Sequence, residues 1–192
     1  LIMTEHLKPI FTIPPGAADN PQVSDIFTQV KQVYGVPQTP PLYQSLANSP
    51  NVLQGTWCLS TAVMDQGELP TAVKQIIFLA VSSARGCSYC ELVYSALCKI
   101  DGISGEQIKA AASAQSDLMP IRTRDIVKFA IVAATDIHTL QDEDYDTLRR
   151  HGLNDSEILE VIAVAGLATY FNILADGMRV NVDETILQVL AG

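Results

Sequence analysis

The sequence predicts an all-α fold for its larger part, residues 51–192, and three observations support this prediction. Apolar residues recur there at helical spacing, residues that start or stop helices flank each apolar run, and no segment shows the alternation of a half-buried strand. The run "IIFL" alone would suit a buried strand, but its flanks are helical. A chain of 192 residues is long enough for one sizeable hydrophobic core, so we expect one compact helical domain.

The first fifty residues differ from the rest in composition, because they contain eight of the ten prolines. Proline fixes φ and lacks a backbone donor, so this region cannot be one continuous helix. We predict a proline-rich N-terminal arm over residues 1–50 with one short helix, 24–35, that is closed by Gly35. The helical domain would then span 51–192. Such an arm would wrap either its own core or a neighbouring subunit.

Capping residues justify each helix of the larger part in turn. Pro70 suits the first turn of a helix, and Gly86 and Gly102 suit the position after a last turn. Ser104 with Gln107 three residues later is a capping-box pattern. The predicted helices after the arm cover residues 51–67, 69–86, 87–102, 104–115, 119–140, 142–152, 154–178 and 183–192.

The helices contain an internal repeat with an offset of fifty residues. "LPTAVKQIIFLAVSSA" aligns with "MPIRTRDIVKFAIVAA", and "KIDGISGEQI" aligns with "RRHGLNDSEI". Any two amphipathic helices share apolar positions, but matched prolines and glycines are harder to obtain in that way. We therefore predict two related helical units around a pseudo-two-fold axis. The positions identical without a gap are Pro70/Pro120, Ile76/Ile126, Ala80/Ala130, Ala84/Ala134, Gly102/Gly152 and Ile108/Ile158.

Composition and charge exclude several classes of partner. A net charge of −9 argues against nucleic acid and against an electrostatic membrane anchor. "IIFLAVSSA" is too short to span a bilayer, "IVKFAIVAA" is interrupted by Lys128, and the first residues lack the pattern of a secretory signal. An apolar fraction of 48% with only 17% charged residues favours a homo-oligomer. We expect no nucleic-acid partner, no membrane partner and a cytoplasmic location.

Two of the four cysteines form a Cys-x-x-Cys pair, Cys87 and Cys90, directly after Gly86. In a reducing compartment this spacing indicates redox or metal chemistry. Both side chains would lie on one face at the start of a helix, where they can close a disulfide and where the helix dipole lowers a thiol pKa. In the repeat they fall opposite Ile137 and Leu140, which indicates that packing does not require cysteine there.

Other interpretations of the cysteines are less well supported. A buried cysteine is often simply a small core residue, and this is the better interpretation for Cys58 and Cys98. Cys98 lies about 12 Å along the helix from Cys90, too far to share one zinc ion. No second Cys-x-x-Cys exists, and the βαβ frame of a thioredoxin is missing from the predicted elements. We predict no metal and no other cofactor.

The segment "LPTAVKQIIFLAVSSARGCSYCELVYSALCKIDGIS" resembles the core of the alkylhydroperoxidase-D-like group within the carboxymuconolactone decarboxylase family. The later segment "DEDYDTLRRHGLNDSEILEVIAVAGLATYFNILADGMRVNVDE" resembles the C-terminal half of the longer, peroxidase-related members. This resemblance implies an all-helical fold and homo-oligomers, whether dimers, trimers or hexamers. It also implies reduction of a hydroperoxide or other small substrate by thiols, which a thiol reductant or reductase protein regenerates, without metal or flavin.

The resemblance also implies roles for individual residues. In the family the second cysteine takes oxygen as a sulfenic acid and the first resolves it, which makes Cys90 the peroxidatic thiol and Cys87 the resolving one. The family pattern adds a glutamate and a histidine as a proton relay, and this chain has Gln75 and Tyr94 at those positions. Gln75 cannot accept a proton at neutral pH. Tyr94 is a poor general base but a fair hydrogen-bond donor.

Three functions remain open at this point. The first is a thiol peroxidase or dithiol oxidoreductase with an altered proton route, and the second is a redox-sensing or binding scaffold. The third, a decarboxylase or lactone-binding relative, is weakest because those relatives do not depend on a Cys-x-x-Cys pair. Tyr89, Tyr170 and Phe171 are candidates for a pocket near the thiols, although their helical spacing favours core packing. His138 and His151 are remote from the thiols in sequence.

Overall fold

The computed structural model describes residues 8–113 and 119–191, and all regular structure in these two ranges is helical. The predicted all-α fold is therefore confirmed for the described residues. Two residues of the predicted helix 104–115 and the last residue of 183–192 lie outside them. The α-helices are α1 Pro21–Tyr34, α2 Pro41–Leu46, α3 Pro50–Met64, α4 Thr71–Arg85, α5 Ser88–Ile100, α6 Gly105–Ala112, α7 Ile121–Thr135, α8 Asp142–Arg150, α9 Asp155–Met178 and α10 Glu184–Ala191.

The proline-rich region contains more helix than the sequence predicted. The expected helix 24–35 is present as α1, which starts three residues earlier, but the chain also forms α2 and already begins α3 at Pro50. Each of these helices has proline in its first turn, where the missing N–H would be unpaired in any case. The prediction of a single helix was therefore wrong, because these prolines start helices rather than break them.

The described part of the arm packs on its own chain. The Trp57 indole of α3 donates a hydrogen bond of 2.8 Å to Gln29 Oε1 of α1, and the phenol rings of Tyr34 and Tyr43 pack edge-on against the same indole. Of the two alternatives for the arm, residues 8–50 follow the first. The arm side chains buried in the common core are Ala17, Val23, Ile26, Phe27, Val30, Leu42, Tyr43, Leu46 and Ala47.

The longest helix, α9, runs through the centre of the fold and packs against α3, α4, α5 and α7. It is long and apolar enough to cross a membrane by length and composition, and half of its most apolar window is buried inside the fold. The two shorter apolar runs noted in the sequence, residues 76–84 and 126–134, lie in α4 and α7 instead. A helix at the centre of a hydrophobic core needs an apolar composition just as a membrane-spanning helix does, and α9 is buried in the core of this fold.

The internal repeat is confirmed in the arrangement of the helices. α4 and α7 both have fifteen residues and both follow a proline, Pro70 or Pro120. α5 and α8 both end at a glycine in the left-handed region, Gly102 with φ 76° and Gly152 with φ 85°. At both ends the N–H after the glycine donates back to a carbonyl five residues earlier, as in a Schellman turn.

The two units diverge where the second helix of each begins. α5 starts at Ser88, but α8 starts at Asp142, about one helical turn later in the repeat register. The intervening residues of the second unit form a 3₁₀ turn, Ile137–Thr139, followed by Leu140 in an extended conformation. The sequence comparison of the two cysteines with Ile137 and Leu140 was therefore wrong, because the backbones at those positions differ.

Candidate active site

The turn between α4 and α5 positions the two thiols. Gly86 adopts φ 76°, which reverses the chain after α4. The Cys87 N–H donates to the Ser82 carbonyl at 3.0 Å, and the Cys87 carbonyl accepts from the Glu91 N–H at 3.0 Å. The backbone of Cys87 therefore closes one helix and opens the next, with Cys90 in the first turn of α5.

Both thiols are buried and reduced. The exposed fraction is 0% for Cys87 and 2% for Cys90, and neither sulfur is in a disulfide. Hydrogen bonding between the two thiols, together with burial, raises the pKa of Cys87 far above its ordinary value. The helix start was expected to lower the pKa of a thiol at this position. That expectation is wrong for Cys87, because burial and the adjacent sulfur both disfavour its thiolate.

An apolar cavity of about 70 Å³ adjoins Cys90. Cys90 is the sole thiol among its described lining residues, so Cys87 lies behind it. Side chains of α10, including Ile186 and Val189, form one wall of this cavity. The remaining lining is aliphatic apart from Thr185, Phe171 and four tyrosines, namely Tyr34, Tyr43, Tyr89 and Tyr94.

Two of the three aromatic pocket candidates lie at this cavity. Tyr89 and Phe171 line it, and burial raises the pKa of the Tyr89 hydroxyl. Tyr170 is not among the lining residues, and its hydroxyl instead pairs with the Thr56 hydroxyl at 2.8 Å. The sequence analysis favoured core packing for all three, and Tyr89 and Phe171 serve both purposes because each is also buried in the core.

Tyr94 is held rigidly one turn beyond Cys90. Its ring stacks on Phe78 with the centroids 3.6 Å apart and the planes 10° from parallel. Burial is the main reason that the pKa of Tyr94 lies well above its ordinary value, and the nearby Tyr34 and Cys90 add to the effect. Its hydroxyl therefore keeps its proton and can donate a hydrogen bond.

Gln75 lies on a second, more polar cavity of about 200 Å³ that Tyr94 also lines. The Gln75 amide donates to Asp101 Oδ2 at 2.6 Å, whereas its buried Oε1 has no hydrogen-bond partner in the described part of the chain. The structure thus brings Tyr94 together with Cys90 at one cavity and with Gln75 at the other. Cys87 and Gln75 do not share a cavity.

Several polar residues at these cavities were missed from the sequence. The hydroxyls of Tyr34 and Tyr43, which come from the arm, are 3.1 Å apart. Asp65 and Asp101 line the second cavity. The internal repeat could have indicated Asp101, because Asp101 is the counterpart of His151 and Gln75 is the counterpart of Asp125. The two tyrosines had none, because their approach depends on how the arm folds back.

The remaining cysteines behave differently from each other. Cys98 is buried as predicted, and burial raises its pKa to about 12. Cys58 is exposed on α3, so its assignment to the core was wrong. Its position on the outer face of α3 is a consequence of how that helix docks, which apolar spacing did not resolve.

The two histidines near the second unit lie away from the thiols. His151 Nε2 is 2.8 Å from Asp125 Oδ2, and neither His151 nor His138 is among the described lining residues of either cavity. Across residues 8–113 and 119–191, no three histidine, cysteine, aspartate or glutamate side chains are grouped so that they could hold a metal ion.

Solved structures show the same arrangement of helices. An uncharacterized peroxidase-related protein with an alkylhydroperoxidase core, from Ralstonia eutropha JMP134, superposes with a TM-score of 0.84 over 94% of this chain and 96% of its own, at 22% identity. An uncharacterized peroxidase-related protein from Silicibacter sp. TM1040 gives 0.83 over 96% and 97%, at 20% identity. A debrominase in complex with 2,3,4-tribromopyrrole gives 0.80 over 96% and 97%, at 21% identity. The fold is that of the alkylhydroperoxidase-D-like proteins.

The sequence of the thiol-bearing unit matches a known family model. Residues 50–120 match the model of the carboxymuconolactone decarboxylase family, and this segment includes Cys87, Cys90, Gln75 and Tyr94. The chain is similar to that family over this segment, and over nearly its whole length it has the fold of the alkylhydroperoxidase core. No curated protein gives a significant match to the sequence.

Proposed function

We propose that this protein is a thiol-dependent peroxidase, in which Cys90 attacks a hydroperoxide and Cys87 resolves the product. The observation that carries the proposal is the unequal placement of the two sulfurs. Cys90 lines the apolar cavity, whereas Cys87 lies behind it with a pKa raised by its neighbour and by burial. The Cys90 sulfur at the cavity is thus available for substrate, and the Cys87 sulfur behind it retains the proton that the second step needs.

The proposed reaction balances in two steps. The Cys90 sulfur attacks the terminal oxygen of the hydroperoxide, an S–O bond forms and the O–O bond breaks. The alkoxide takes up the proton that the Cys90 thiol gave up and leaves as the alcohol. The Cys87 sulfur then displaces hydroxide from the Cys90 sulfenic acid, and its own proton completes a molecule of water. The resulting disulfide is reduced by an external thiol reductant or reductase protein.

The apolar lining indicates the kind of hydroperoxide. Aliphatic and aromatic side chains surround Cys90, and charged side chains are missing from the described lining. We propose an organic hydroperoxide with an apolar body, because burial of that body stabilises the complex whereas hydrogen peroxide gains nothing from it. Reduced thiols in use as catalysts require a reducing compartment, so we also propose a cytoplasmic location and, as the family resemblance implies, a homo-oligomer.

The decisive experiment is consumption of cumene hydroperoxide in the presence of a dithiol reductant. Wild type should turn over, and Cys90→Ser should be inactive. Cys87→Ser should complete the first step only, so that a sulfenic acid accumulates on Cys90 and can be trapped with dimedone. Cys98→Ser is the matched control, because Cys98 is equally buried on the same helix but lines neither cavity. Activity that survives in Cys90→Ser would contradict the proposal.

The aromatic character of the cavity favours a second candidate, reductive dehalogenation of an apolar ring. A debrominase has the same fold, and four tyrosines and Phe171 surround Cys90 here. The balance would be one aryl bromide and two thiols giving the arene, a disulfide and hydrogen bromide. Release of bromide from tribromopyrrole that depends on Cys90 and exceeds hydroperoxide turnover would favour this function over the first.

A redox-sensing or binding scaffold remains the alternative without turnover. This alternative predicts that Cys87 and Cys90 cycle between dithiol and disulfide when the redox potential of a glutathione buffer is changed. Neither cumene hydroperoxide nor tribromopyrrole would be consumed. The buried position of both thiols makes such cycling slow unless α10 moves, because Ile186 and Val189 cover the cavity.

A further inference from the structure

The two cavities are separated by a wall that contains two phenols. Cys90 lines only the apolar cavity, and Gln75 and Asp65 line only the polar one. Tyr34 and Tyr94 line both. The other residues common to both cavities, Leu97 and Ile100, are aliphatic. Within the described lining, the hydroxyls of these two tyrosines are therefore the polar groups available between Cys90 and the polar cavity.

Both phenols are held in place from outside the cavities. Tyr94 stacks on Phe78, as described above. The Tyr34 hydroxyl lies 3.1 Å from the Tyr43 hydroxyl, and its ring packs edge-on against Trp57 with the centroids 6.4 Å apart. A hydrogen-bonded chain transfers protons efficiently when its members are already oriented, and these contacts supply the orientation.

The charge state of the phenols determines how they can act. Burial, the largest effect on each, raises the pKa of Tyr34 and of Tyr94, so neither hydroxyl ionises near neutral pH. Each can move a proton only by accepting one on oxygen while it releases its own. Asp65 interacts electrostatically with both hydroxyls, and Cys90 interacts with Tyr94.

The polar cavity ends at a carboxylate on the surface. Asp65 follows the last residue of α3 and is exposed to solvent. The unpaired Oε1 of Gln75 is an acceptor that is buried on the same cavity, and a volume of about 200 Å³ is ample for water molecules that would satisfy it. A route from the hydroxyls through this cavity to Asp65 therefore needs no movement of the fold.

We propose that Tyr94, Tyr34 and Asp65 form a proton route between Cys90 and solvent. This route takes the place of the glutamate and histidine that the family pattern has at positions 75 and 94. The inference rests on the proposed function, because it identifies where the Cys90 proton goes and where the alkoxide obtains it. Tyr94 and Tyr34 both border the substrate cavity, whereas Asp65 acts through them and is a positioning residue.

The route leaves the chemical balance unchanged. When Cys90 loses its proton, each hydroxyl passes one proton toward Asp65, whose carboxylate accepts the last of them. After the O–O bond breaks, the same chain runs in reverse and the alkoxide receives a proton from Tyr94. Asp65 ends each turnover as it began, and no further oxidant or reductant is involved.

The test is single-turnover oxidation of the reduced protein by cumene hydroperoxide, followed in H₂O and in D₂O. Tyr34→Phe and Asp65→Asn should each slow the oxidation about 100-fold, the lower end of what loss of an acid–base group costs. Half-saturation by the hydroperoxide should not change in Asp65→Asn, because Asp65 does not line the apolar cavity, and Tyr34→Phe keeps the ring that lines it. The solvent isotope effect should change in both variants, and Asp65→Glu should restore most of the rate.

Two control variants separate the route from a structural effect. Tyr170→Phe removes a phenol hydroxyl that pairs with Thr56 at 2.8 Å and lines neither cavity, so it should react within about twofold of wild type. Asp101→Asn removes the other carboxylate of the polar cavity and should also react within about twofold. Equal losses in Tyr34→Phe and Tyr170→Phe, or wild-type rates in Tyr34→Phe and Asp65→Asn, would overturn the proposal.

A second oxidant distinguishes failure of the route from failure of the proposed function. The same variants are treated with a small aromatic disulfide, which also requires a deprotonated Cys90 but no peroxide chemistry. If wild type reacts with the disulfide and not with the hydroperoxide, the peroxidase function fails while the route is still tested by the variants. If wild type reacts with neither reagent, the thiols are structural and both proposals are overturned.

Discussion

The first helical unit, α4 to α6, and the second, α7 to α9, each place one polar pair at the same point of the repeat. In the first unit the Gln75 amide donates to Asp101 at 2.6 Å, and in the second His151 Nε2 lies 2.8 Å from Asp125. Each pair joins the first helix of its unit to the residue that follows the second helix. A carboxylate and an imidazole are thus paired in the unit without thiols. Both units thus use a polar pair at this point to join their helices, and the residue types of the pair can change without a change of fold.

The units also use the position of Tyr94 differently. Its counterpart Asp144 accepts a hydrogen bond of 2.8 Å from the Gln141 N–H and so caps the start of α8. At Tyr94, by contrast, α5 is already more than one turn long, because it starts earlier in the repeat than α8 does. That additional first turn contains Cys90. The thiols therefore occupy a turn of helix that the second unit does not form.

A third difference concerns the basic residue in the first turn of each unit. Lys74 is only 1% exposed and forms a salt bridge of 2.9 Å with Glu160 of α9. Its ammonium also donates to the carbonyls of Val63, at 2.9 Å, and Gln66. The counterpart Arg124 has a side chain that is 28% exposed. The first unit is thus anchored to the central helix through a buried charge.

The largest effect should come from removing the sulfur that distinguishes the first unit with Cys90→Leu. The variant should lose at least about 1,000-fold in hydroperoxide turnover, because the attacking sulfur is absent. An added branched side chain in the core should cost about 1–3 kcal/mol of stability, and helicity should be retained. Peroxide assays and far-ultraviolet circular dichroism check the two parts. Cys98→Ala, which removes a buried sulfur of the same helix, should keep full activity.

The next largest effect should follow from removal of the buried anchor with Lys74→Met. Glu160 would lose its partner in a poorly solvated site, and breaking such a pair typically costs about 3–5 kcal/mol. Urea unfolding measures the loss. Arg124→Met, the same change in the second unit, should cost less because that side chain is partly exposed. Equal losses in the two variants would contradict the distinction between the units.

A smaller gain is expected from giving the first unit the acid–base residues of the family pattern, Gln75→Glu with Tyr94→His. Turnover should rise about tenfold, since a group with a pKa near the operating pH is a better general base than a buried phenol. The loss of the stacked ring on Phe78 should lower stability by about 1 kcal/mol. Unchanged turnover, measured as kcat for cumene hydroperoxide, would show that proton transfer does not limit the reaction.

The smallest effect concerns the polar pair of the second unit. Burial acts to raise the pKa of Asp125, but hydrogen bonds with His151 and Arg124 outweigh it and keep this pKa below its ordinary value. A carboxylate with a lowered pKa stabilises the fold above its unfolded pKa, near 3.9, and that contribution disappears as the pH falls through the folded pKa. Asp125→Asn should therefore cost less than about 1 kcal/mol at pH 7, and this difference should begin to shrink below about pH 4 and vanish below the folded pKa. Unfolding free energies of wild type and Asp125→Asn measured across this pH range check the prediction. A difference that stays constant would show that the Asp125 carboxylate does not stabilise the fold through its lowered pKa.

Much of the fold was predictable because local signals and packing agree. Prolines before α4 and α7, glycines after α5 and α8, and apolar spacing placed the helices from residue 51 onward close to their observed positions. The predicted helix 119–140 was wrong at its end, because α7 stops at Thr135 and a 3₁₀ turn follows. α2 was missed because six residues are too few to establish a helical period. The exposed position of Cys58 was missed because spacing shows that a helix is amphipathic but not how it docks.

The candidate site was predictable only in part, for a similar reason. Cys87, Cys90 and the substitutions at 75 and 94 follow from a local motif. The approach of Tyr34 and Tyr43 to that motif follows from contacts between residues far apart in the sequence. No local pattern encodes those contacts, and the raised pKa of Cys87 likewise depends on burial that the motif does not specify.

The double use of the Cys87 backbone has a consequence for how the fold can acquire new chemistry. Its N–H completes the end of α4 and its carbonyl begins α5, so the angle between the two helices depends on main-chain atoms that every residue other than proline supplies. The hinge itself therefore does not require cysteine, and the limit on the side chain at position 87 is the space available in the core. A redesigned protein could carry another small side chain there, such as serine or alanine, without a new backbone.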